Sequence, residues 1–205
     1  MFKSYARYKQ NENGIRQNTK SKRTLSVMRI FFDMDGVLAD FDRAVSGVPG
    51  YISVLNKASR NLSIAQRYIK KKNWLAIEKI SSFWSGMLPV QNVNMLLDYA
   101  QSCGEMFVLT KVPSPDKFIN GERYVNEIAN AKRQWINNNM SQYFNPQNVI
   151  VCYGDKGELI KPNRQDVLID DRYENIVNWY DAGGMGILFK DSNRAMRELQ
   201  LMRQR

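Results

Sequence analysis

The stretch Arg29 to Asp42, RIFFDMDGVLADFD, decides how this chain is read. Ile30, Phe31 and Phe32 form a short run that is apolar on both faces, the mark of a buried strand in a parallel sheet. The run ends in two aspartates one residue apart, Asp33 and Asp35. Gly36 follows at once, and Asp40 and Asp42 come soon after. Carboxylates this close repel each other, so something positive is expected between or beside them.

Working outward, four more strand-like windows appear at 105–110, 148–152, 166–170 and 185–189, after a first at 27–33. Helical windows at 91–102, 121–140, 172–182 and 191–202 separate them. In the second, Tyr124, Val125, Ile128, Ala129, Trp135 and Ile136 fall on one stripe. Gly183 and Gly184 stop the third and turn the chain into the last strand. Strands alternating with helices predict an α/β fold, a Rossmann-like parallel sheet sandwiched by helices. Residues 41–88 are too long for one crossover, and Ser63 to Ile80 carries helical spacing. They read as a small helical cap inserted after the first strand. Its Lys57, Arg60, Arg67, Lys70, Lys71 and Lys72 form either an anion-attracting surface or a solvated face.

The chain has 205 residues, 43% of them hydrophobic, which suits one domain with a real core. No run approaches the eighteen apolar residues of a membrane span, and no secretory signal opens the chain. Cys103 and Cys152 lack CxxC spacing and read as reduced thiols, consistent with a cytoplasmic location. Histidine is absent, which excludes Ser-His-Asp and Cys-His catalysis and histidine zinc sites. Chemistry is left to carboxylates, lysines, hydroxyls or a hard metal held by oxygen. The net charge is +10, and residues 1–27 hold seven basic residues against one acid, a net +6. This segment reads as a basic flexible N-terminal extension to a domain spanning 28–205. It is either a solvated tail or an arm making weak nucleic-acid contact.

Ligands of an open parallel sheet bind beyond the carboxyl ends of its strands. The first strand delivers Asp33 and Asp35 there, the second Thr110 and then Lys111, the fourth Asp170 and Asp171. Four carboxylates in one crevice call for a hard divalent cation. Mg²⁺ is the commonest choice, and it usually keeps waters and a substrate phosphate.

Read together, DMDGVLAD (33–40), VLT (108–110), a lysine, and VLIDDR (167–172) resemble the haloacid dehalogenase superfamily of phosphotransferases. FWSGMLP (83–89), AKRQW (131–135) and VLIDDRYENIVNWYDAGGMGILF (167–189) are similar to segments of the 5′(3′)-deoxyribonucleotidases and their bacterial and phage relatives. The resemblance covers residues 28–190 and is loosest in the cap. It implies a Mg²⁺-dependent phosphatase acting on nucleoside monophosphates. Asp33 would be the nucleophile and Asp35 the general acid and base, its backbone carbonyl also a metal ligand. Gly36 would let the chain turn beneath the phosphate, and Thr110 would bind a phosphoryl oxygen. Asp171 would ligate the metal, and Asp170 would hold metal waters or the lysine. The acidic pair also suits the N-cap of the helix that follows.

Lys156 and Lys161 both precede the acidic pair; the family pattern of a lysine and then a proline before the fourth strand fits Lys156 with Pro162. Lys111 stands where relatives carry a small residue, and reads as a phosphate contact or a solvent-facing side chain. Lys132 sits inside the apolar stripe, either snorkelling past the core or bracing the acidic site. Arg172 would reach toward the cap. Phe83 and Trp84 read as hinge packing, with base stacking the alternative. Removal of a terminal phosphate from a polynucleotide, gripped by the basic extension, is the competing activity. A nucleic-acid-binding protein on a silent scaffold is the non-enzymatic alternative. The sequence leaves the oligomeric state open.

Overall fold

The computed structural model describes residues 27–52 and 64–204. The basic extension up to residue 26, and Lys57 and Arg60 of the segment after the first strand, lie outside the described residues. In chain order the elements are β1 (Met28–Phe32), α1 (Phe41–Ser46), α2 (Ile64–Glu78), α3 (Val93–Cys103), β2 (Gly104–Lys111), α4 (Gly121–Met140), β3 (Val149–Cys152), α5 (Lys156–Ile160), β4 (Asp166–Asp170), α6 (Tyr173–Asp181), β5 (Met185–Leu188) and α7 (Ser192–Arg203). Two single 3₁₀ turns, Pro115–Lys117 and Pro146–Asn148, complete the set.

The strands form one sheet in the order β3-β2-β1-β4-β5, every neighbouring pair parallel. All five expected strand windows are therefore strands, and β1 lies at the centre. Period-two alternation splits the β1 side chains between two cores. Ile30 and Phe32 face the larger one, shared with α3, α4 and α7. Phe31 faces the smaller one, where Leu109, Leu168 and Trp179 of α6 meet it. Phe31 stacks on Phe107 with ring centres 4.9 Å apart and meets Trp179 at 5.2 Å. Burying a side chain of this size contributes roughly 1.5–3 kcal/mol. The central strand thus joins both layers, which is why the apolar run had to be apolar on both faces.

The segment between β1 and α3 holds α1 and α2. Two backbone ties close it near its ends: Asp40 N donates to Leu88 O at 2.8 Å, and Val90 N donates to Leu38 O at 2.9 Å. The Trp135 indole, on α4, donates to Met87 O at 2.7 Å and fixes the same return segment to the sheet layer. Phe83 and Trp84 are both buried, inside an aromatic group with Phe41 and Trp74. Packing, rather than an open stacking face, is what their positions provide. No helix among the described residues is long and apolar enough to cross a membrane.

At the opposite edge of the sheet from the strand carboxyl ends, Arg29 donates to both oxygens of Asp166, at 2.7 and 2.6 Å. Asp166 also accepts the Asn163 N–H at 2.8 Å. The pair ties β1 to β4 and keeps the Arg29 guanidinium charged, with Asp166 as the leading cause. Asp166→Ala leaves a backbone N–H and the guanidinium unpaired. Because Arg29 is partly exposed, a loss of about 1–3 kcal/mol is expected. Urea unfolding checks this, and any catalytic rate should survive, since the pair lies across the sheet from the acidic cluster.

Candidate active site

The chain after β1 coils sharply. Met34 O accepts N–H groups from Leu38 and Ala39, each at 2.9 Å, and Gly36 N donates to Ala39 O at 2.8 Å. Gly36 sits at φ +81°, a conformation that favours glycine. A Cβ there would stand 2.7 Å from Asp171 Oδ2, so the turn brings the β1 loop directly against the acidic end of β4. The expectation that Gly36 permits a close turn has this physical content.

Three carboxylates converge at that point. Asp33, Asp170 and Asp171 each offer an oxygen, all within 4.8 Å of one another. Asp33 and Asp170 are buried, while Asp171 is half-buried. Such a set of hard oxygen donors fits a divalent cation of the Mg²⁺ type. The Asp35 side chain is not in this set; it turns the other way, toward α4.

Two buried lysines supply the positive charge that the acid pairs require. Lys156, at the start of α5, lies between Asp33 Oδ1 at 3.1 Å and Asp170 Oδ2 at 2.6 Å. Burial alone would drive its ammonium toward neutrality. Asp170 and Asp33 more than reverse that, and hold it above the ordinary lysine range. Lys161 is exposed, at the αL position that caps α5. Of the two lysines left open by spacing, Lys156 is the one that meets the acids. Lys132, wholly buried on α4, donates to Asp35 Oδ2 at 2.6 Å, Thr110 Oγ1 at 3.0 Å and Lys111 O at 2.7 Å. Its ammonium also lies 5.0 Å from the centre of the Trp84 ring. It braces the site rather than snorkelling to solvent.

The two aspartates of the β1 loop differ in environment. Burial pushes Asp33 up, but Lys156 and Lys132 outweigh it and hold the carboxyl below the usual range. The Met34 N–H, 2.8 Å from Asp33 Oδ1, adds to this. Asp35, half-buried, is held above the usual range by partial burial of its carboxyl and then by the Asp33 charge, against the pull of Lys132. Its Oδ1 is buried and has no hydrogen-bond partner among the described residues. Adjacent carboxyls pushed in opposite directions divide naturally into a base or nucleophile and an acid.

Asp170 does not use its side chain as a helix cap in the ordinary way. The N-cap of α6 is Arg172, whose own side chain makes no capping bond. Asp170 Oδ1 instead accepts the Arg172 N–H at 2.9 Å, and both Asp170 oxygens accept from Asn175 Nδ2, at 3.0 and 2.9 Å. Asn175 then accepts from Lys111 Nζ at 3.0 Å. Lys111 is further placed 3.9 Å from Asp155. So Lys111, its side chain 30% exposed, is tied into the site through an asparagine. Asn175 is the residue that sequence reasoning missed. Its only signal is a polar residue on the inward side of α6, five positions after Asp170. Arg172 is exposed and lies 3.4 Å from Glu174.

No protein-family model matches the sequence, and neither does any curated protein. Solved structures match it in shape. A haloacid dehalogenase-like family hydrolase from Xanthomonas campestris aligns with a TM-score of 0.55 at 14% identity, over 87% of this chain and 92% of that one. A haloacid dehalogenase superfamily hydrolase from Ehrlichia chaffeensis aligns with a TM-score of 0.50 at 16% identity, over 86% and 98%. At these identities the likeness is one of fold. The parallel five-stranded sheet with helices on both faces is the fold this chain shares with these two hydrolases.

Proposed function

We propose that this chain is a Mg²⁺-dependent phosphomonoester hydrolase, acting on nucleoside monophosphates through an aspartyl-phosphate. The observation that carries the reading is the division between Asp33 and Asp35. One carboxyl is held charged beside Lys156, and the other is biased toward its protonated form.

Asp33 attacks phosphorus, forming a bond from its carboxylate oxygen as the bond from phosphorus to the leaving oxygen breaks. Asp35 gives its proton to that leaving alcohol. In the second half Asp35 takes a proton from water, whose oxygen attacks the same phosphorus. Inorganic phosphate leaves and Asp33 is regenerated. Thr110 and Lys156 contact the phosphoryl oxygens, Lys132 keeps Asp35 and Thr110 in register, and Asn175 orients Asp170. Bound Mg²⁺, held by Asp33, Asp171 and the Asp35 carbonyl, would neutralise charge on the transferring group. In this reading α1 and α2, the described elements of residues 41–88, serve as the cap.

A bell-shaped pH profile of kcat/KM is expected. The acid limb marks protonation of Asp33, and the alkaline limb marks loss of the Asp35 proton. Because Asp33 is held below the usual carboxylate range, the acid limb should fall below that range, and a limb inside or above it would contradict the nucleophile assignment.

The nucleotide part of the reading rests on the sequence similarity of residues 83–89, 131–135 and 167–189 to the deoxyribonucleotidases. Phosphate release from ribo- and deoxyribonucleoside 5′- and 3′-monophosphates, with Mg²⁺ and with chelator, tests it. Metal-dependent release from monophosphates is expected. Release only from a 5′-phosphorylated oligonucleotide, lost on removing residues 1–27, would favour the end-processing activity instead.

A further inference from the structure

Beyond the carboxylates, three cations come from separate segments, and each lies close enough to another to act on its charge. Lys70 is on α2, Lys117 ends the 3₁₀ turn Pro115–Lys117, and Arg172 directly follows Asp171. Lys70 and Trp74 are four residues apart on α2 and so share a face. The Lys117 ammonium lies 6.0 Å from the centre of the Trp74 ring. Lower on the same helix, Glu78 accepts the N–H groups of Ile119 and Asn120, each at 3.0 Å, and the Asn120 amide at 2.9 Å. The loop carrying Lys117 is thus clamped to the helix carrying Lys70.

The cluster is short of counter-charge. Asp116 accepts from the Ser114 hydroxyl and Glu174 pairs with Arg172; these two carboxylates act on the lysines but do not outweigh burial and the neighbouring cations. Among the described residues neither Lys70 nor Lys117 closes an ion pair with a carboxylate. Both lysines are half-buried and held below the ordinary lysine range, by burial first and then by a neighbouring cation. That cation is Arg172 for Lys70, and Lys70 for Lys117. Trp74 adds a buried indole N–H that has no hydrogen-bond partner among the described residues. It stacks on Trp84 with ring planes 15° apart, and Trp84 faces the Lys132 ammonium that holds Asp35. Lys117 and the Lys132–Asp35 pair therefore lie against two indoles stacked on one another. Gathering like charges in a half-buried place is unfavourable until an anion fills it.

We propose that Lys70, Lys117 and Arg172 form a second anion subsite, which takes a second phosphate group on the same substrate whose scissile phosphate sits at Asp33. The assignment rests on the phosphatase reading for the first phosphate. The second group is either the other phosphate of a nucleoside bisphosphate or the next phosphodiester of a 5′-phosphorylated oligonucleotide. Lysine and arginine bind either through the same charge-assisted hydrogen bonds.

The test uses the full chain and its Lys70→Gln/Lys117→Gln variant. Three substrates are compared: a nucleoside 5′-monophosphate, the matching 3′,5′-bisphosphate, and the 5′-phosphorylated dinucleotide. The parent chain should favour a substrate with the second phosphate by about tenfold or more in kcat/KM, and the variant should lose that preference. Whichever of the two doubly charged substrates carries the preference names the source. No preference in the parent, or an equal fall on all three substrates in the variant, overturns the subsite. A calorimetric titration of the bisphosphate into Asp33→Asn protein, with and without the two glutamines, separates the two claims. Binding weakened about tenfold by the glutamines upholds the subsite even if no phosphate is ever released. Equal binding refutes it even if the phosphatase reading holds.

Discussion

Asp33→Asn is expected to lower phosphate release by about 10⁴-fold or more, since it removes the attacking oxygen rather than a supporting contact. The fold should survive. An asparagine carbonyl still accepts the Met34 N–H, now 2.8 Å from Asp33 Oδ1, and Lys156 keeps its closer partner Asp170 at 2.6 Å. The change in unfolding free energy should stay within about 2 kcal/mol, because the lost ion pair is offset by one fewer buried charge. Release kinetics and a denaturant curve on the same preparation check both halves. Activity retained at near-parental rates would remove Asp33 from the nucleophile role.

Lys156→Met should act on stability as well as rate. The ammonium is 1% exposed and is shared by two buried carboxylates. Removing it leaves Asp33 and Asp170 facing each other in a poor dielectric, which typically costs about 3–5 kcal/mol. Asp170 is already held above the usual carboxylate range, by burial and by Asp33 against the pull of Lys156. Without the lysine it should take up a proton. The sign follows: the variant's stability deficit should shrink as pH falls, because a protonated Asp170 no longer repels Asp33. Urea unfolding across the acid range reads this out. A deficit that does not change with pH would mean the carboxylates are not the groups left unpaired.

The strands were legible because each is a short apolar window between helical segments, and a sheet buried on both faces demands that composition. Asp33, Asp35, Thr110, Asp170 and Asp171 were legible as a set for a related reason. In an all-parallel sheet every strand end points to the same edge, so residues that end strands must meet. What spacing could not give was partnership. Whether Lys156 or Lys161 meets the acids depends on α5, a five-residue helix too short to show periodicity. Its Asp155 N-cap, which accepts from Gly157 and Glu158, was the available signal. Lys132 stood out as a charge in an apolar stripe, but its three acceptors come from positions 21 to 97 residues away. Asn175 gave no pattern at all, because a buried amide bridging Asp170 and Lys111 looks in sequence like any polar helix residue. Lys70 was legible among the basic residues of the cap, as part of an anion-attracting surface, but its meeting with Lys117 was hidden for the same reason: they belong to segments that only folding brings together.

The central claim is that Asp33 carries the phosphoryl group between substrate and water. Rapid acid quench of the chain turning over a ³²P-labelled monophosphate with Mg²⁺ tests it directly, because an acyl phosphate survives acid and is cleaved by hydroxylamine. The account predicts transient label on the peptide containing Asp33, absent from Asp33→Asn protein. Phosphate released with no label ever appearing on the chain would contradict it, since water would then be attacking phosphorus without Asp33.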